Sequence, residues 1–456
     1  MTPAALSARS LAAAPALADF WNMDEATRDD LLLRGIAATH AYHFERNTAY
    51  RNTVAAHGVG PWAPPSELHR LLRSTSLAFK SYIDVLGTPF PQDRATGFFH
   101  WLIEQVSVDL RVGARRPRPR YRSLEGLLKA VERTYPGLGL EVLTSSGTSG
   151  RMTVIPRDRG GTGLAAASFS WSFQRYLGLA GDFTAIFMAP KRTRAGVPRM
   201  ARSGLLATGL APGRVHFTVP VPAGPDQVRV RTGRVYRLGW RGAIEKHISH
   251  PLMASLQSRL VDAQAVEAAI SRLIAAGARE ERVLLFGSLA QLGNIASFLL
   301  DAGRTLTLSP GSLLATWGGT KESSARTPAE MRQDLQDAFK LATGEPAPIR
   351  DVYGMAEANW AAMQCSHGNY HVPPWIYAVT LDDQDAFQKG PRCTGSLAFF
   401  DPYGGGDLFP AFFRTADRVT LVRGSACACG EAGSFLEEAS VQRLGPPGEA
   451  ENAPRL

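Results

Sequence analysis

Residues 143–156 read Leu-Thr-Ser-Ser-Gly-Thr-Ser-Gly-Arg-Met-Thr-Val-Ile-Pro. Thr144, Ser145 and Ser146, followed by Gly147, Thr148, Ser149 and Gly150, make a loop with little steric bulk and many hydrogen-bond donors. Glycines let a backbone turn and approach an anion closely, while exposed N–H groups and hydroxyls donate to its oxygens. The loop therefore suits phosphates, although such a run on its own also suits an ordinary turn. It is not a Walker A loop, because no Gly-Lys-Ser/Thr follows the first glycine at the required spacing. The run Leu-Glu-Val-Leu at 140–143 predicts a strand feeding it.

Outward from that loop, strand-like and helix-like segments alternate, which favours an α/β fold. Ser123 is placed to cap a helix to Tyr135 that carries Leu124, Leu127, Leu128 and Val131 on one face. Residues 163–176 read as a helix whose N-terminal dipole faces a phosphate held by the loop. Ala185 to Met188 and Val283 to Gly287 read as buried strands, 228–231 as a solvated hairpin, and 262–276 and 289–302 as helices. Thr327-Pro-Ala-Glu330 is a capping box with Pro at the first helical position, predicting a helix to Thr343 stopped by Gly344. Ile349 to Val352 then reads as a strand ending on Tyr353-Gly-Met-Ala-Glu357. The expected organisation is a helical segment over 1–60, a core over 61–435 and a flexible tail over 436–456.

Composition narrows the classes. The chain has 456 residues, 45% of them hydrophobic, enough for a large core. Its net charge of +9 favours anionic partners such as nucleotides, coenzyme A or an acidic carrier protein. No nucleic-acid motif accompanies the one basic run, Arg115-Arg-Pro-Arg-Pro-Arg120, which reads as an exposed connection. Four cysteines in this length do not form a disulfide scaffold. No apolar stretch is long enough to span a membrane and the Ala-rich N-terminus is weakly apolar, so a cytoplasmic protein is expected.

Several motifs occur together in one order: Ser145-Ser-Gly-Thr-Ser-Gly150, Tyr353-Gly-Met-Ala-Glu357 and Arg414-Thr-Ala-Asp417. Over about residues 45–435 this resembles the adenylate-forming superfamily. Thr153, where most of that superfamily carries Lys, resembles the phenylacetate-CoA ligase branch. Gly318-Gly-Thr-Lys321 and Cys365-Ser-His-Gly-Asn-Tyr-His-Val-Pro-Pro-Trp375 resemble the acyl-protein synthetases of bacterial luminescence. The resemblance implies the large N-terminal domain of these enzymes, with layered mixed sheets flanked by helices and a smaller β-rich subdomain. It also implies attack of a carboxylate on the α-phosphate of ATP to give an acyl-adenylate. Two anions must meet, so such a protein mainly positions them and offsets charge.

By the same resemblance, Ser145, Ser146, Gly147, Thr148, Ser149 and Gly150 hold the β- and γ-phosphates. Glu357 ligates Mg²⁺, Asp417 takes the ribose hydroxyls, and Tyr353 with Gly354 lies against the adenine, where Gly318 and Gly319 leave room. Thr148 and Glu357 are the implied catalytic groups. Each carboxylate has a blander reading: Glu357 as a solvated helix-start acid and Asp417 as a surface ion-pair partner. Trp171, Trp240, Trp317, Trp360 and Met363 lie near motifs that flank the acyl pocket in relatives, or else belong to the core.

Cys365, His371, Cys427 and Cys429 offer a Cys₃His set of the kind that holds structural zinc, with His367 as an alternative to His371. Reduced buried cysteines are the competing reading. Cys393 stands apart, as inert packing or, by resemblance to enzymes that pass the acyl group through a cysteine, as an acyl acceptor. Relatives continue past the ribose-binding Asp into a lid with a catalytic Lys, whereas 39 residues follow Asp417 here; the lid is expected to be absent. The acyl group would then pass to a protein thiol, a carrier or a partner-delivered nucleophile. An acyl-CoA ligase and a catalytically silent nucleotide- or acyl-binding subunit remain alternatives.

Overall fold

The computed structural model describes residues 14–75, 77–87, 94–110, 120–145, 152–222, 224–227, 239–256, 261–318, 326–443 and 453–454. Residues 146–150, Gly319 and the expected hairpin at 228–231 lie outside the described residues.

The N-terminal helices α1 (Glu25–Arg46) and α2 (Thr48–Ala56) start on Asp24 and Asn47, whose side chains accept backbone N–H bonds. Helix α3 (Leu124–Thr134) is capped by Ser123, which accepts from Gly126 N. It delivers the chain to β1 (Glu141–Thr144), which forms an antiparallel hairpin with β2 (Val154–Arg157) in the register Thr144 to Val154. The Ser/Gly run therefore lies in the chain between two paired strands. Val142, Leu143, Val154 and Ile155 are buried and fix that pair.

Beyond the hairpin come α4 (Arg159–Leu177), β3 (Thr184–Pro190), α5 (Gly196–Ala207) and β4 (Val215–Val219). Next follow α6 (Ala263–Gly277), β5 (Val283–Gly287), α7 (Leu289–Asp301), β6 (Leu313–Trp317), α8 (Pro328–Ala338) and β7 (Ile349–Gly354). The strands pair in parallel in the order β4-β3-β5-β6-β7. Their cores are continuous apolar runs, as a sheet covered on both faces requires. Ile186 and Leu285 pack on α6, α7 and α8, while Phe187 and Phe286 pack on α4 and α5. The α4–α5 contact is so close that a Cβ on Gly204 would fall 2.4 Å from that of Phe169.

From β7 the sheet continues antiparallel through β8 (Ala361–Gln364) and β9 (Tyr370–His371). It then takes in β10 (Tyr377–Leu381), β11 (Arg392–Asp401), β12 (Ala411–Val422) and β13 (Phe435–Leu436). Ile36 of α1 with Tyr50 and Val54 of α2 buries the β-rich part, against Val379, Phe400 and Phe412. Among the described residues no helix is long and apolar enough to cross a membrane.

Two helices depart from the sequence reading. Helix α8 has the expected capping box at Thr327 and Glu330 but stops at Ala338. Phe339 is fully buried and Phe339–Leu341 pairs instead with Leu306–Leu308; tertiary burial outweighs helix propensity there. Helix α4 starts four residues earlier than its pattern suggested, because Asp158 caps it, accepting from Gly161 N at 2.6 Å. The loop that this helix was expected to face, residues 146–150, lies outside the described residues.

Candidate active site and thiol cluster

The open end of the β1–β2 hairpin is tied by Thr153, whose N–H donates to Ser145 Oγ at 2.9 Å while Ser145 N donates to Thr153 O at 3.2 Å. The Thr153 hydroxyl donates to Glu357 Oε1 at 2.7 Å. Glu357 is 5% exposed and lies in a turn segment after β7, so it is not a solvated helix-start acid. Its immobility is built by Arg157 at the far end of β2. That guanidinium, itself buried, donates to Ala356 O at 2.9 Å and Ala358 O at 3.1 Å. Burial pulls Arg157 down to about 10, which leaves it charged at neutral pH.

A cation joins this carboxylate. Lys80 Nζ stands 4.0 Å from Glu357 Oε1 and donates to Thr75 O at 2.6 Å. The backbone places it: Phe79 O accepts from Val154 N at 3.0 Å, and Tyr82 OH donates to Met152 O at 2.8 Å. Phe79 itself has φ +57, a conformation that a bulky residue adopts only when its surroundings impose it. Here they do, since its ring is fully buried against Phe409. Lys80 thus puts a positive charge beside the position where Thr153 replaces the superfamily's usual Lys. Sequence reading passed over Lys80; a single Lys within Leu-Ala-Phe-Lys-Ser-Tyr-Ile was the signal available.

The nucleoside side is built at the ends of β6, β7 and within β12. Gly318, φ +85, follows β6, and Trp317 pairs with Val352 of β7, so Gly318 adjoins Tyr353 and Gly354. Tyr353 OH donates to Asp417 Oδ2 at 2.7 Å. On β12, Phe413, Thr415, Asp417, Val419 and Leu421 are buried while Arg414, Ala416 and Arg418 are half-buried, the alternation of a strand. Asp417 therefore lies on the inward face, 5% exposed, and is not a surface ion-pair partner. Ala416 lies within β12 where its pairing with β11 shifts register between Arg414 and Arg418, and it is not among the described residues with positive φ, so its backbone does not call for glycine. Among the flanking residues, Trp360 and Met363 are fully buried, Trp317 packs on Phe286 at 4.4 Å, and Trp240 is 70% exposed. Trp240 is thus not a core residue.

The second cluster is made by two matching turns. Cys365-Ser-His-Gly368 and Cys427-Ala-Cys-Gly430 each close with the glycine N–H donating to the first cysteine's carbonyl, at 3.1 and 2.9 Å, and each glycine has positive φ, +83 and +88. Strand β9 adds His371. The ligand atoms of Cys365, His371, Cys427 and Cys429 lie within 4.8 Å of one another. Cys365 Sγ is 3.9 Å from Cys427 Sγ, and Cys429 Sγ is 3.3 Å from His371 Nε2. A tetrahedron of bonds near 2.3 Å has edges of about 3.8 Å, so a zinc ion fits this set. Burial lowers His371 to about 4, keeping it neutral as a ligand must be, and raises Cys429 to about 12, a cost that a bound cation would reverse. The His371 ring stacks on Tyr176 at 4.7 Å. His367 is exposed and bonds Ser366, outside the set. Cys393, half-exposed on β11, faces Gly390 O at 3.7 Å.

Comparison with known proteins shows that the fold is similar to that of a solved CoA ligase. It superposes on 2-hydroxyisobutyryl-CoA ligase with bound 2-HIB-AMP and CoA, in an open conformation, at TM-score 0.53 and 13% identity, covering 92% of this chain and 70% of that one. The thioesterification-state structure of that ligase gives 0.52 and 14%, covering 92% and 69%. More particularly, residues 254–443 match the family model described as acyl-protein synthetase, LuxE. Over 106 residues the chain is 30% identical to the long-chain-fatty-acid–luciferin-component ligase of Aliivibrio fischeri, covering 23% of this chain and 27% of that protein. The matched part therefore spans about a quarter of that relative's length, and the chain resembles these acyl-protein synthetases.

Proposed function

We propose that this chain activates a carboxylic acid with ATP as an acyl-adenylate and passes the acyl group to a protein thiol, a carrier or a partner-delivered nucleophile. The observation that carries this reading is the buried Glu357 carboxylate, held by Thr153 at the mouth of the Ser/Gly hairpin with Lys80 beside it. The loop residues 145–150, including Ser146, Gly147, Thr148, Ser149 and Gly150, would take the β- and γ-phosphates. Gly318, Gly319, Tyr353 and Gly354 would take the adenine, and Asp417 the ribose hydroxyls.

Glu357 would hold Mg²⁺, a hard cation suited to carboxylate and phosphate oxygens, and that ion supplies charge neutralisation at the phosphates. Lys80 lowers the cost of bringing a second carboxylate towards the triphosphate. Arg157 fixes the segment carrying Glu357, so the chain's share is positioning and electrostatics. Cys365, His371, Cys427 and Cys429 would hold a structural zinc. Cys393 lies outside both clusters and is left as a candidate acyl acceptor.

The test is hydroxylamine trapping with purified protein, ATP and Mg²⁺ across fatty, aromatic and amino acids. Acid-dependent hydroxamate with matching AMP release is expected for one class. Nucleotide binding without AMP release from any acid would instead favour a silent binding subunit.

A further inference from the structure

Among the described residues the parallel sheet ends on β4, whose one partner there is β3. No strand bonds its other side among the described residues. A cavity of 550 Å³ runs along that side. Consecutive residues Val215, His216 and Phe217 all line it. Successive side chains of a strand point to opposite faces, so a cavity that meets three in a row sees the strand's open edge. Helices on opposite faces of the sheet wall the groove, α5 through Arg202 and Leu206 and α6 through Arg272. A groove beside an unpaired strand edge is the kind of site that takes an extended backbone.

Charge says what fits. Lys191, Arg192, Arg202 and Arg272 line the groove and no carboxylate does. None of the four forms an ion pair among the described residues. The guanidinium of Arg202 lies 5.8 Å from the Phe217 ring centroid. His216 is pushed below its ordinary value chiefly by burial and then by Arg272 and Arg279, with Glu281 acting in the opposite direction. Val219, Pro220 and Val221 give the groove apolar lining as well.

We propose that this groove is a docking site for an extended acidic segment of a partner protein, added to the sheet as a strand beside β4, with acidic side chains meeting the four cations and apolar ones the apolar lining. Main-chain bonds to the edge would give affinity and the cations selectivity. The site lies on the flank of the catalytic hairpin: Lys191 and Arg192 lead into Arg194, whose carbonyl accepts from Thr144 N at 2.7 Å.

The probe is an eight-residue peptide alternating Glu and Val, capped at both ends, against its Lys-Val counterpart, with affinity by calorimetry and hydrogen exchange on the full chain. The expected result is binding of the acidic peptide at least tenfold tighter than the basic one, weakened by salt, with slowed exchange across residues 215–219. Arg202→Glu with Arg272→Glu should weaken it at least tenfold. Lys191→Glu with Arg192→Glu, both at exposed positions, serves if that pair misfolds. Absence of peptide binding would overturn the proposal and leave the cations as a guard against edge pairing. Displacement by inorganic phosphate or CoA, or binding without slowed exchange at 215–219, would overturn it in favour of a small-anion subsite.

Discussion

The catalytic corner and the thiol cluster are assembled in opposite ways. The thiol cluster takes four ligands from two short turns and one strand, all of a type that names its chemistry, within residues 365–429. The proposed catalytic corner draws Lys80, Thr153 and Glu357 from three distant segments, with Tyr353 and Asp417 paired beside each other on β7 and β12, each an ordinary residue type until the fold gives it a partner. On the proposed reading, the first arrangement would stabilise the β-rich end without touching substrate, whereas the second would lose its function when any one segment shifts. Mutations should therefore separate the two regions cleanly.

The largest effect is expected at Glu357. Glu357→Gln keeps the hydrogen bond to Thr153 but removes the charge, and steady-state adenylation with the preferred acid should fall on the order of 10²–10³-fold. Lys80→Met keeps the stem and removes the cation; a loss of roughly 10–100-fold is expected, with unchanged near-ultraviolet circular dichroism. An unaltered rate would remove Lys80 from the corner and make its contact with Glu357 a packing detail.

Tyr353→Phe deletes one hydrogen bond to Asp417, worth about 1 kcal/mol. KM for ATP should change by about tenfold or less with little change in kcat. Smallest on the reaction should be Cys427→Ser, for which adenylation at 25 °C stays within about twofold of the parent while bound zinc, measured by atomic emission, is lost. Its Tm should fall, and chelation of the parent protein should reproduce that fall. If chelation instead abolished adenylation at a temperature where the chain stays folded, the division between the two regions would fail.

Much of this was legible in the sequence because local chemistry decided it. Ser123 and the Thr327–Glu330 box cap helices wherever the chain continues with apolar periodicity. Val283–Gly287 is too apolar to be anything but covered. Asp417 was reached through the resemblance carried by Arg414-Thr-Ala-Asp417, and its burial was left open. Where tertiary burial competed with propensity, reading failed, as at Phe339, which leaves the helix to fill the core. Lys80 was missed for a different reason. Its position depends on the left-handed Phe79 and on the Val154 N–H, neither of which leaves a mark on residues 72–82.

The most direct measurement of the central claim is ATP–pyrophosphate exchange with purified protein and Mg²⁺, using the acid selected by trapping, for the parent chain and Glu357→Gln side by side. The account expects acid-dependent exchange in the parent and its near-complete loss in the variant at equal folded content. Exchange that survives undiminished in Glu357→Gln would contradict the account, because the carboxylate around which the hairpin, Thr153, Arg157 and Lys80 are arranged would then not serve the reaction.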